Sequence, residues 1–155
     1  MKYRKLTKEQ FESLDKEFAQ FLATQKIDVN QWTKIQENNP ELVEEELSLF
    51  SDLVWEDVLN KVDYLEHFSS NCINLFQTDQ EYISRIVIKI NKKIDLFNQQ
   101  DYQWLLKNTN SNSIDYFKGT KKYQKDRNKE IFDLIEKGSQ ISKGELFDYF
   151  NKLTS

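Results

Sequence analysis

YISRIVIKI, residues 82–90, is the stretch on which the fold class turns. Tyr82, Ile86, Ile88 and Ile90 share one face of a pleated strand, whereas Ile83, Val87, Ile90, Ile94 and Phe97 fit a helical stripe continuing past it. The density of β-branched residues favours the strand and leaves a helix over 81–97 as the competing reading. Working outward, Cys72 to Gln77 is a second short apolar-rich run. Gln77 to Glu81 then becomes a hairpin loop, with no Asn-Gly or Asp-Gly to specify its turn. Further on, Asp101 to Lys107 reads as a short helix and Ile114 to Phe117 as a third strand, a succession that suggests a crossover onto the same sheet.

Upstream, NPELVEEELSLFSDLVWEDVLNKVDYLE, residues 39–66, reads as one long amphipathic helix. Asn39 suits the N-cap, Pro40 the first helical position, and Glu41, Glu44 and Glu45 the positive end of the macrodipole. Leu42, Val43, Leu47, Phe50, Val54, Val58, Val62 and Leu65 form the stripe predicted to be buried. Two shorter helices precede it. Thr7 with Gln10 and Asp28 with Gln31 are capping boxes, and Leu6 with Phe11 and Ile27 with Trp32 are the matching hydrophobic staples. At the other end, Tyr123 to Lys137 is predicted helical with Gly138 as its stop, and Ser142 with Glu145 is a third capping box starting a last helix over 143–153. The expected fold is therefore α+β and mostly helical: an N-terminal three-helix unit, a two- or three-stranded sheet and a C-terminal helical hairpin, in one domain over residues 1–155.

Only three glycines and one proline punctuate the 155 residues, which argues against an all-β fold. The single Cys72 cannot form an internal disulfide, and MKYRKLTKEQ lacks the apolar core of a secretory signal, so a reducing cytoplasm is expected. The longest all-aliphatic run, Ile86-Val87-Ile88, excludes a hydrophobic membrane helix. Charge is divided unevenly: residues 1–70 carry 8 Lys/Arg against 15 Asp/Glu, and residues 71–155 carry 14 against 11. An acidic helical half and a mildly basic half follow, each able to face a different partner.

MKYRKLT (1–7), FSDLVWEDVL (50–59) with YLEH (64–67), and EIFDLIEKGSQISKGELF (130–147) together resemble an uncharacterised family of small soluble bacterial proteins of about this length. The resemblance spans nearly the whole chain. It implies no reaction, cofactor or catalytic residue.

Several clusters invite a chemical reading. Lys118, Lys121, Lys122, Lys125 and Lys129 share a broad face if helical, and Tyr116 and Tyr123 stand ready to stack on bases. A second version puts an anion against Gly119, Thr120 and the following helix N-terminus. A solvated lysine-rich face accounts for the same pattern. Asp63, Glu66 and His67 lie on one helical turn but are too few for a metal centre, and no second histidine exists. Cys72 beside His67 shows no sign of a lowered thiol pKa. Trp32 and Trp104 sit in amphipathic spacing that fits packing. Trp55 differs, because Asp52, Glu56 and Asp57 surround it at the margin of the buried stripe, where it either widens that stripe or anchors another protein. Helix, turn and helix around Gly138 to Gly144 lacks the Arg, Asn or Gln of a DNA-reading helix. Phosphate-loop, G-x-S-x-G and Cys-x-x-Cys signatures are absent.

The sequence thus predicts a cytoplasmic, non-enzymatic interaction protein without cofactor or metal. Its partner is another protein, bound through the acidic helical half with Trp55, Asp52 and Glu56. The alternative is an RNA- or ribosome-associated protein binding through Lys118, Lys121, Lys122, Tyr123, Lys125 and Lys129.

Overall fold

A computed structural model describes all of residues 1–155 as two compact units, Met1–Asn60 and Lys61–Ser155. The first unit is helical: α1 (Lys8–Ser13), α2 (Asp15–Thr24), α3 (Val29–Asn38) and α4 (Pro40–Asn60). Both predicted capping boxes form. Thr7 Oγ1 accepts the Gln10 N–H at 3.2 Å while Gln10 Oε1 accepts the Thr7 N–H at 2.9 Å, and Asp28 and Gln31 exchange the equivalent bonds at 2.8 Å. Asn39 Oδ1 accepts the Leu42 N–H, as an N-cap side chain does.

The first predicted helix is broken at Leu14, whose φ of −111° and ψ of 25° interrupt it, so the unit has four helices where three were expected. The aromatic residues on both sides of the break converge on one ring: Phe11, Phe18 and Phe21 lie 6.2, 5.1 and 5.4 Å from the Phe50 centroid. Trp32 meets Phe18 edge-on at 5.4 Å, the preferred geometry for ring quadrupoles. Thr24 is followed by a Schellman turn, in which Lys26 N–H bonds to Ala23 O and Ile27 N–H to Leu22 O, with Lys26 at φ 61°.

The second unit is built on a five-stranded antiparallel sheet of β1 (Tyr64–Phe68), β2 (Cys72–Thr78), β3 (Tyr82–Ile90), β4 (Ile114–Lys122) and β5 (Gln140–Ser142), in the spatial order β4-β3-β2-β1-β5. Between the strands run α5 (Gln99–Lys107) and α6 (Arg127–Glu136), and α7 (Glu145–Leu153) ends the chain. YISRIVIKI is thus a strand, at the heart of the sheet. Its even-numbered residues lie on the same face as Ile73 and Leu75 of β2 and Ile114 and Tyr116 of β4, by the pairings Ile73↔Ile88, Leu75↔Ile86 and Ile88↔Tyr116. Leu105 of α5 and Phe147 and Phe150 of α7 close the core over that face. On the opposite face stand Phe76, Ile83 and Arg85, over which α6 passes to carry the chain from β4 to the far edge, where β5 pairs with β1.

Five expectations are corrected. The long helix stops at Asn60, not Glu66, and Tyr64–Phe68 is a strand. There the pairing with β2 outweighs helical periodicity, and the ends are tied by Thr78 N–H to Asp63 O at 2.8 Å and Thr78 Oγ1 to Val62 O at 2.9 Å. With β1 and β5 added, the sheet has five strands, not two or three. The C-terminal hairpin does not form, because β5 separates α6 from α7 and the two helices serve opposite faces. Ser142, the expected cap, is the last residue of β5, and the residue preceding α7 is Gly144 in the left-handed region. Finally, β3 and β4 are antiparallel neighbours, so α5 is an excursion between them rather than a crossover.

Candidate functional site

In the helical unit the acidic face of α4 is covered by the chain's own first residues. Asp52 accepts the backbone N–H of Lys2 at 2.7 Å and of Tyr3 at 3.0 Å, one oxygen to each. Tyr3 donates its hydroxyl to Glu56 at 2.5 Å, and Lys2 Nζ stands 3.4 Å from the same carboxylate. Next to Asp52 in sequence, Ser51 Oγ accepts the Leu6 N–H at 3.0 Å and in turn donates to Leu47 O at 2.7 Å. Lys5 and Glu44 close the row at 2.7 Å. A backbone segment without secondary structure keeps its polar groups satisfied this way. Burial first, then the Glu56 hydrogen bond, push the Tyr3 phenol from its usual 10.0 to about 12.

The three residues singled out for partner binding are therefore brought together around that segment. Trp55 is buried, 9% exposed, with the Arg4 guanidinium 5.1 Å from the centroid of its ring. It belongs to the interior stripe with Phe50, Ser51 and Leu59, while Val58, expected inside, is exposed.

The surface that α4 does leave open lies one column over. Leu49 and Leu53, four residues apart, are 55% and 57% exposed. With Phe21 and Thr24 of α2 and its C-cap Gln25 they line an open groove of about 330 Å³, and Asp52 and Glu56 form its other wall. Exposed Glu45 and Asp57 flank the leucines along the helix. Gln25 is fixed by donating to the buried Glu46 at 2.7 Å. In the sequence this column is marked only by two leucines at i and i+4 off the interior stripe, a weaker signal than the stripe itself.

In the second unit the basic segment is not one helix face. Residues 118–122 complete β4, and α6 begins at Arg127 behind the cap Asp126. Strand alternation sends Lys118 and Lys122 to one face and Lys121 to the other. Tyr123, expected to stack on bases, donates its hydroxyl to Asp79 O at 2.8 Å, and burial raises its pKa. Lys125 pairs with Asp133 at 2.9 Å, which holds the carboxyl below and the ammonium above their usual ranges. Lys129 stands 4.0 Å from Asp133 and lies over the Phe132 ring.

Glu66 and His67 are successive on β1 and point to opposite faces, so Asp63, Glu66 and His67 do not converge. Cys72 is half-buried at the start of β2, 3.7 Å from the Asn74 amide nitrogen. Trp104 carries Lys92 Nζ 3.8 Å from its ring centroid. No helix is long and apolar enough to cross a membrane.

The chain belongs to a family of unknown function, DUF6495, whose model matches residues 1–155. No curated protein and no solved structure matches it.

Proposed function

We propose that the chain is a non-enzymatic cytoplasmic interaction protein whose helical unit docks a basic amphipathic helix from another protein. The observation that carries this is the exposed Leu49–Leu53 column, flanked along α4 by the exposed carboxylates of Glu45 and Asp57. Two apolar anchors at i and i+4 spacing suit the ridge of a partner helix, and Glu45 and Asp57 at either end of the column select lysine or arginine on its flanks. Trp55 contributes as a buried support for α4 rather than as the anchor.

The test is fluorescence anisotropy with a labelled Leu/Lys peptide in amphipathic order and a second peptide of the same composition in scrambled order. The amphipathic peptide binds the wild-type protein, and Leu49→Ser with Leu53→Ser weakens binding by about tenfold or more while the circular dichroism spectrum is unchanged. Equal binding by both peptides, or no loss in the double variant, overturns the reading.

A further inference from the structure

A groove of about 720 Å³ runs between α6 and the outer strands of the sheet, within the range of pockets that enclose a small ligand. Its floor is apolar, from Phe76 of β2, Ile83 of β3 and Leu134 of α6. Four cations line it: Arg85, Lys121, Lys125 and Lys137. Two acids share it. Glu130, Asp133 and Leu134 at i, i+3 and i+4 share one face of α6, and its C-cap Lys137 follows them at i+7.

The cations are not equivalent. Lys125 and Lys121 are occupied by Asp133 at 2.9 Å and Glu130 at 4.0 Å. No carboxylate lies within ion-pair distance of Arg85, and Lys137 shares Asp133 at longer range with Lys125 and Lys129. The Arg85 guanidinium is instead oriented by Asn74 Oδ1, which accepts from Nε at 3.0 Å and Nη2 at 2.5 Å, and it lies 5.6 Å from the Phe76 centroid. That leaves the remaining guanidinium donors for a ligand, in the planar fork that matches phosphate. Directly across the ladder from Arg85 is Gly119. A Cβ there would meet nothing within 4 Å, so the strand beside the guanidinium is bare and open to a flat group.

The geometry points to a nucleotide site: phosphate on Arg85 and Lys137, the base over Ile83 and Leu134 against the bare Gly119 strand, with Gln124 as the polar partner for its edge. The same chemistry is presented by a free nucleoside monophosphate and by one residue of single-stranded RNA. Of the lysines read from the sequence as an RNA-binding face, only Lys121 and Lys125 belong to this site.

Full-length ¹⁵N-labelled protein is titrated with adenosine monophosphate, adenosine, inorganic phosphate and an oligoadenylate, following backbone amides by NMR. Saturable shifts confined to residues 83–85, 119–124 and 134–137 are expected with the monophosphate, with adenosine or phosphate alone about tenfold weaker or more. Tighter, salt-sensitive binding of the oligonucleotide identifies RNA as the source; equal affinity per site identifies the free nucleotide. Gly119→Val fills the open space with a strand-favouring side chain and keeps the fold, and Arg85→Gln keeps an amide donor without the charge. Each should weaken binding about tenfold. The site is refuted by the absence of saturable shifts with both monophosphate and oligonucleotide, or by wild-type affinity in the two variants.

Discussion

Tyr64 lies so close to Gly144 that a Cβ built on the glycine would stand 2.5 Å from Cδ2 and Cε2 of the tyrosine ring. Gly144 also sits at φ 87°, where an L side chain is strained. Gly144→Ala should therefore destabilise the protein by about 1–3 kcal/mol, the cost of a strained backbone before the ring is moved. Urea unfolding followed by circular dichroism measures it; an unchanged midpoint would show that both ring and backbone relax freely.

Lys26 is the mirror case. It occupies the left-handed position of a Schellman turn that glycine ordinarily fills. Replacing it by Gly relieves the conformational penalty at some cost in chain entropy, for a net gain of about 0.5–1 kcal/mol. A lower melting temperature in Lys26→Gly would mean that the side chain contributes something beyond its backbone angle.

Asp52 holds two consecutive amides of the N-terminal segment. Asp52→Ala removes both acceptors at once, and the expected loss is about 1–2 kcal/mol with faster hydrogen exchange at Lys2 and Tyr3. The Tyr3 phenol adds a pH signature. Below pH 10.0 it is neutral folded or unfolded; as pH rises toward about 12, the unfolded chain releases the proton and the folded chain retains it, so stability falls across that window. In an absorbance titration of tyrosinate, Tyr3→Phe should delete a late-ionising tyrosine. Loss of an early one instead would contradict the buried bond to Glu56.

Glu66 behaves oppositely to an ion-paired carboxylate. Burial, and then the neighbouring Glu145, push its pKa above 4.5. The folded state resists the charged form, so this residue lowers stability at neutral pH, and the penalty fades as pH falls from the raised folded value to below 4.5. Glu66→Gln should raise the melting temperature near neutrality and show no advantage once the medium is more acidic than that window. An advantage independent of pH would point to packing instead of charge.

What could be read from the sequence was local. The Thr7/Gln10 and Asp28/Gln31 boxes need only residues three apart, and both form. YISRIVIKI carries its own alternation. Tyr64–Phe68 is hidden because Leu65 extends the period of the preceding helix, and only pairing with Phe76 and Gln77 on one side and Ile141 and Ser142 on the other makes the stretch a strand. Three-residue β5 is too short to leave a period at all. Trp55 among carboxylates looked outward because the residues that cover that face, Tyr3 and Arg4, come from the far end of the unit. In the groove, Lys121 and Lys125 are visible as part of a charge run, whereas Arg85 and Lys137 reach it from β3 and from the C-cap of α6 and share no sequence neighbourhood with them.

The position of β5 sets an order of assembly during synthesis. Once residue 78 has emerged, β1 can find β2, yet its outer edge waits for Gln140–Ser142 near the end of the chain. Through that interval the nascent unit presents an unfinished edge to its surroundings, the moment at which a foreign strand can add. The finished sheet offers poorer templates: at one border three residues, at the other a strand carrying Lys118, Lys121 and Lys122. The vulnerable state of this protein is thus the growing chain, and a truncation just before Gln140 would make that state permanent.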